Sequence, residues 1–262
     1  GYAERLGIAN VFTELEAMLN SGKVDAVYIA SPNALHAEQA IMCLSRGVAV
    51  LVEKPAASNA CEFERVIRAA KQNSIALMEA VKSTLHPAFR VVMSQLPRLG
   101  TVRHFFASFC QYSSRYDAHL AGEYRNTYDP ALSTGSLMDI GIYGVYPAVR
   151  LFGAPLSVQA SGRLLSTGVD GSGSLILSYK DMDAVIMHAK NADSWLPSEI
   201  QGEKATLRID RINLPQKIDI IYRDGTIATV FNETNSGASE ALKMRKPFDI
   251  SEIAKISKPF MS

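Results

Sequence analysis

Val48-Ala-Val-Leu-Val-Glu-Lys-Pro55 is the stretch on which the fold turns. Its five apolar residues are too few for a helix, and they lack the polar alternation of a half-exposed strand. They therefore predict a strand buried on both faces. Asp25-Ala-Val-Tyr-Ile-Ala30 upstream and Ile75-Ala-Leu-Met78 downstream read the same way. Helical patterns separate the three runs. Ala37, Ala40, Ile41 and Leu44 recur at helical spacing, and Gly47 stands where a helix stops. Asn59-x-x-Glu62 opens another helix, with Phe63, Val66, Ile67 and Ala70 on one face. Thr13-x-x-Glu16 has the form of a capping box ahead of Leu15, Met18 and Leu19, and Pro87 to Leu96 suits a further helix. Strands alternating with helices over such short connections predict βαβ units and a parallel sheet.

The pattern changes from Thr101 onward. Thr101–Phe109 predicts a strand, a loop-rich stretch follows, and Ser136 to Phe152 predicts a helix. Beyond it only strands are expected: Ser174–Tyr179, Ala184–Ala189, Thr206–Ile209, Ile218–Tyr222 and Thr226–Phe231. Asp224-Gly225 marks a hairpin between the last two. We therefore expect an α/β chain of two domains. Residues 1–97 form the parallel-sheet domain, and residues 98–262 form an α+β domain with an open, largely antiparallel sheet. Alternation along its strands is expected to leave Leu175, Leu177, Val185 and Met187 on one face. An apolar sheet face of that size predicts association, as a homodimer or homotetramer.

Composition narrows the function. A formal net charge of +1 over 262 residues offers no field for nucleic acid or an anionic membrane. No apolar run reaches the roughly 18–20 residues of a membrane span. The N-terminal residues have neither the basic nor the apolar region of a signal peptide. Cys43, Cys61 and Cys110 form no C-x-x-C pair, which argues for a reducing, cytoplasmic setting. The five histidines have no metal-site spacing, so no metal is expected.

A parallel sheet binds its ligand at the carboxyl ends of its strands. Here those ends are Ser31-Pro32-Asn33, with His36 one turn later, then Glu53-Lys54-Pro55, then Glu79. A Lys54 ammonium in that crevice suits a substrate hydroxyl or carbonyl oxygen and its proton. The plainer reading is a solvated lysine paired with Glu53. Small polar groups at 31–33 suit a ribose or nicotinamide amide, although Asn33 is equally a good helix cap. In the second half, Gly135-Ser-Leu-Met-Asp-Ile-Gly-Ile-Tyr-Gly-Val-Tyr-Pro147 sets Asp139 and Tyr143 four apart, one above the other on a helix. A carboxylate beside a phenol is a proton-handling pair. The segment carries Gly141, Gly144 and Pro147 against helix propensity, which points to packing or function. A Gly-rich packing helix with an exposed acid and phenol is the competing reading. Arg125, in the loop before it, suits a substrate or cofactor contact, or simple exposure to solvent.

Val24-Asp-Ala-Val-Tyr-Ile-Ala-Ser-Pro-Asn-Ala-Leu-His36, Val52-Glu-Lys-Pro55, Gly135 to Tyr143 and Gly202-Glu-Lys-Ala-Thr-Leu-Arg-Ile209 occur in order. Together they resemble the glucose-fructose oxidoreductase/inositol dehydrogenase/rhizopine catabolism family, over roughly Tyr2 to Phe231. The resemblance implies that residues 1–97 are part of a Rossmann-type dinucleotide-binding domain and residues 98–262 the substrate domain, with reversible hydride transfer between NAD or NADP and a carbinol or aldehyde carbon of a sugar, cyclitol or diol. It implies that Lys54 and Tyr143 bind the reacting oxygen, that one of them transfers its proton, and that Asp139 is the family's helix aspartate. Ser31, Pro32, Asn33, His36, Glu53, Lys54, Pro55, Glu79 and Arg125 are the expected cofactor neighbours. Tyrosine at 143, where many members have histidine, is similar to the dihydrodiol and xylose dehydrogenase branch. The family's G-x-G-x-x-G turn is not found, and Gly1–Asn10 reads as the approach to a fourth β-α step. The first two strands and the residue that separates NAD from NADP are thus expected to be missing. A second possibility is a ligand-binding regulator that keeps the fold without turnover.

Overall fold

The computed structural model describes residues 2–123 and 126–233. Two compact units divide the chain between Ala80 and Val81. The predicted loop residue Arg125 and the tail from 234 to 262 lie outside the described residues.

The first unit runs α1 (Tyr2–Arg5), α2 (Leu15–Asn20), β1 (Ala26–Ile29), α3 (Asn33–Ser45), β2 (Ala49–Glu53), α4 (Ala60–Asn73) and β3 (Leu77–Ala80). The strands form a parallel sheet in the order β1-β2-β3, with Ile29 opposite Val52 and Val52 opposite Glu79. Its core joins Ile29, Val50 and Val52 to Ala37, Ala40 and Leu44 of α3 and Val66 and Ala70 of α4. Burying a side chain such as Val52 or Leu44 stabilises the fold by about 1.5–3 kcal/mol. Burial along β2 alternates, so the expectation of strands covered on both faces is corrected: Val50 and Val52 are buried, while Ala49 and Leu51 are half-buried and Tyr28, opposite Leu51, is exposed. Apolar residues on both faces of a strand cannot reveal which face a helix covers.

The helix ends differ in how they are closed. Asn59 caps α4 by accepting from the Glu62 amide, and the Glu62 carboxylate reaches the Ser58 amide. The expected box at Thr13 does not form: Glu14 precedes α2 and makes no side-chain cap. Asn33 is the first residue of α3 rather than its cap, because Pro32 holds that position.

The second unit runs α5 (Lys82–Leu85), α6 (Pro87–Gln95), β4 (Val102–Cys110), α7 (Tyr116–Leu120), a π turn over Leu137–Gly141, α8 (Ile142–Phe152), and β5 (Ser157–Leu164) through β11 (Ile227–Asn232). Between them lie β6 (Asp170–Ser178), β7 (Asp183–Ala189), β8 (Ser198–Gly202), β9 (Ala205–Ile209) and β10 (Lys217–Tyr222). The eight strands lie in the order β11-β10-β9-β8-β4-β7-β6-β5, antiparallel except at β4 and β7. Gly225, at φ +84°, turns the hairpin from β10 to β11.

One face of this sheet packs on helices. Phe105, Ala107, Leu175, Leu177, Ala184 and Ile186 share a core with Ala88 and Val92 of α6 and Ala148 of α8. Gly144 allows α8 to approach: a Cβ there would lie 2.7 Å from Ile186 Cγ2 and 3.2 Å from Ala107 Cβ. The register corrects the predicted apolar face. Leu175 pairs with Ile186 and Leu177 with Ala184, so both leucines point into the core. Ile176 and Val185 pair on the opposite face, where Met187 also lies; Ile176 and Met187 are exposed.

Candidate active site

At the strand ends of the first unit, hydrogen bonds tie the loops together. His36 is buried, with Nδ1 2.8 Å from the Pro55 carbonyl and Nε2 2.8 Å from the Ser31 carbonyl. Glu79 Oε1 accepts from the Ala56 amide at 2.8 Å, and burial raises the pKa of its carboxyl. Ser31 Oγ donates to Gln39 Oε1 at 2.6 Å. Glu53 accepts from the Tyr28 hydroxyl and, at 3.1 Å, from the Lys54 amide. The Glu53 carboxylate pushes the Tyr28 phenol up to about 12. His36 thus has both ring nitrogens on backbone carbonyls, and Glu79 is engaged with a backbone amide, so each braces the loops at the strand ends. Ser31, Pro32, Asn33, Glu53, Lys54 and Pro55 remain at the ends of β1 and β2, where α3 begins without a side-chain cap. Polar strand ends beside the uncapped N-terminus of a 13-residue helix fit an oxygen-rich ligand such as a ribose.

In the second unit the chemistry gathers around the π turn. Asp170 of β6 closes the start of that turn, its Oδ2 accepting from the Leu137 amide at 2.7 Å and from Ser136 Oγ at 2.6 Å. Ser136 is fully buried and lies 2.7 Å from His188 Nδ1. A carboxylate only accepts and a serine has one proton. Ser136 therefore donates to Asp170, and His188 donates from Nδ1 to Ser136. Burial lowers the pKa of His188, although the Asp170 carboxylate pulls the other way. Gly135 has φ +142°, and a Cβ there would stand 2.0 Å from Asp170 Oδ1.

Asp139, within the turn, accepts from Lys190 Nζ at 2.7 Å. Lys190 is 3% exposed, whereas the Asp139 side chain is 46% exposed. The ammonium also stands 5.1 Å from the ring centroid of buried Tyr128. Tyr128 in turn packs on His119, with ring centroids 4.8 Å apart. Tyr143, at the start of α8, lies edge-on to Phe109 at 5.5 Å. The predicted stacking of Asp139 beneath Tyr143 assumed α geometry. Asp139 lies in a π turn and Tyr143 in the first turn of α8 that follows it.

Lys190, His188, Asp170 and Tyr128 were not singled out in the sequence. A signal existed: Ala184 and Ile186 face the core, and the same parity carries His188 and Lys190 inward at the end of β7. A cavity of about 450 Å³ beside His188 is bounded by Cys110, Arg163, Asn191 and Asp193, but not by Asp139 or Tyr143. Among the described residues no three His, Cys, Asp or Glu side chains converge as a metal site, and no helix is long and apolar enough to cross a membrane.

A parallel βαβαβ unit with polar strand ends, followed by a sheet domain with an acid–phenol helix, defines an oxidoreductase of the NAD-binding Rossmann class. Residues 2–81 match the family described as "Oxidoreductase family, NAD-binding Rossmann fold", and residues 95–208 match the GFO/IDH/MocA C-terminal domain. The chain belongs to the GFO/IDH/MocA oxidoreductase family. It is 52% identical over 229 residues to the scyllo-inositol 2-dehydrogenase (NADP(+)) IolU of Bacillus subtilis, covering 87% of this chain and 70% of that one. It is 45% identical to the uncharacterized oxidoreductase YgjR of Escherichia coli, covering 85% and 68%. Among solved structures it resembles KijD10, a 3-ketoreductase from Actinomadura kijaniata in complex with NADP and TDP-benzene. The TM-score is 0.75 at 25% identity, over 96% of this chain and 80% of that one.

Proposed function

We propose that this protein oxidises a ring hydroxyl of a cyclitol to the ketone, reversibly, with NADP as the hydride acceptor. The observation that carries the reading is the 52% identity to a scyllo-inositol 2-dehydrogenase across 87% of the chain, with Lys54, Asp139 and Tyr143 all present. A bound nicotinamide would accept hydride at its C4. Ser31, Asn33 and the Glu53-Lys54-Pro55 turn would hold its ribose and amide. Lys54 hydrogen-bonds the reacting oxygen as a cation and so favours its loss of a proton. Tyr143 handles that proton through its phenol. Asp139, held by Lys190, accepts from a neighbouring substrate hydroxyl and fixes which ring position is presented for reaction.

We also propose that copies associate through the sheet face bearing Ile176 and Met187, and that the protein works in the cytoplasm, where Cys43, Cys61 and Cys110 remain free thiols. The test of function is reduced-nicotinamide absorbance with NADP or NAD across scyllo-inositol, myo-inositol, xylose and a trans-diol. Turnover with an inositol and NADP is expected. Cofactor binding with no substrate-dependent reduction would replace this reading with that of a regulatory relative.

A further inference from the structure

Lys190 is as buried as the core of its strand, yet it carries an ammonium group. Such a group is tolerated only when paired. Its partner, Asp139, is the more exposed member, so the pair is buried at its cationic end and open at its anionic end. Three segments meet there. Lys190 follows β7, Asp139 sits in the π turn, and Tyr128 belongs to the loop before it. The backbone of Lys190 is fixed as well. Its amide donates to the Gly171 carbonyl at 2.8 Å, and its carbonyl accepts from the Ser113 amide at 2.8 Å.

We infer that Lys190 is a positioning residue for the substrate hydroxyls: it holds the Asp139 carboxylate aimed while itself remaining out of reach of the substrate. This rests on the reading of Asp139 as the group that receives a polyol hydroxyl. With Lys190 in place, Asp139 can accept a hydrogen bond but is poorly suited to take the proton of the reaction, which leaves that step to Tyr143 or Lys54. A displaced carboxylate would lose its charge-assisted hydrogen bond to the polyol, a loss on the order of ten- to a hundredfold in affinity.

The experiment uses the full-length protein and scyllo-inositol. Lys190→Met should raise KM for scyllo-inositol on the order of ten- to a hundredfold, with a much smaller change in kcat. Affinity for NADPH, read by its fluorescence, should stay within about twofold, because the inferred role is on the substrate hydroxyls alone. Lys190→Arg should recover part of the loss, and in an Asp139→Asn background Lys190→Met should add less than about threefold. If Lys190→Met does not fold by circular dichroism, Lys190→Gln, which keeps a donor, takes its place with the same expectations. A wild-type KM in the substituted protein overturns the inference, as does a loss that is undiminished in the Asp139→Asn background. If Asp139→Asn alone has a wild-type KM, the reading of Asp139 itself fails. If Asp139→Asn is impaired and Lys190→Met is not, only the role of Lys190 fails.

Discussion

Tyr143 and Lys54 each carry a proton that can be given up, whereas Asp139, bonded to Lys190, carries a charge. Substitution should separate these tasks. Tyr143→Phe keeps the ring against Phe109 and removes only the hydroxyl, so kcat should fall roughly 10²–10⁴-fold while the circular dichroism spectrum is retained. Lys54→Met should produce a loss of the same order. Steady-state rates near wild type in both variants would remove them from the chemistry. At this scale the sequence was partly readable. A lysine at the end of an apolar run and a tyrosine beside glycines are unusual enough to be noticed without coordinates. For His36 and Glu79 the sequence shows only their place near the strand ends; their hydrogen bonds to Pro55, Ser31 and Ala56 join segments far apart in the chain and are not legible in it. Lys190 was overlooked because a lysine after a strand normally points to water.

The π turn is the element that places Asp139, and its start is clasped by Asp170, Ser136 and His188. Two predictions belong to this clasp. Gly135→Ala would place a methyl group on Asp170 in a conformation unsuited to L side chains, and should destabilise the protein by about 3 kcal/mol in urea unfolding. The second concerns pH. The folded protein holds His188 below its ordinary 6.5, so the unfolded chain takes up a proton there that the folded chain refuses. This contribution to stability is complete above 6.5 and is lost as pH falls below it, at up to about 1.4 kcal/mol per pH unit. Urea midpoints from pH 7.5 to 5.5 should show that slope, and His188→Asn, which keeps a donor near Ser136, should flatten it. An unchanged slope would assign the acid sensitivity to another group. Spacing predicts the helix but not its opening π turn, and the contacts of Asp170 at the start of that turn come from more than thirty residues away in the chain.

For the molecule as a whole, the parallel sheet of the first unit and six of the eight strands of the second were legible as apolar runs and one Asp-Gly turn. β5 and β8 were not. β5 is exposed along its whole length, so it has no buried face to mark a period of two, and β8 reads Ser-Glu-Ile-Gln-Gly. The face of the large sheet could not be assigned until register paired Leu175 with Ile186. That assignment makes association testable: Ile176→Lys with Met187→Glu should lower the mass measured by light scattering to that of one chain and leave the helix-covered core intact. An unchanged oligomer would place the interface elsewhere. The close approach at Gly144 has a practical meaning for redirecting this scaffold to other polyols. With no room between its α-carbon and Ile186, the segment bearing Tyr143 behaves as a fixed jig, and diversity introduced there will mostly yield unfolded clones. Libraries that leave 135–152 untouched and vary the connection from 111 to 134 should return most of the active variants.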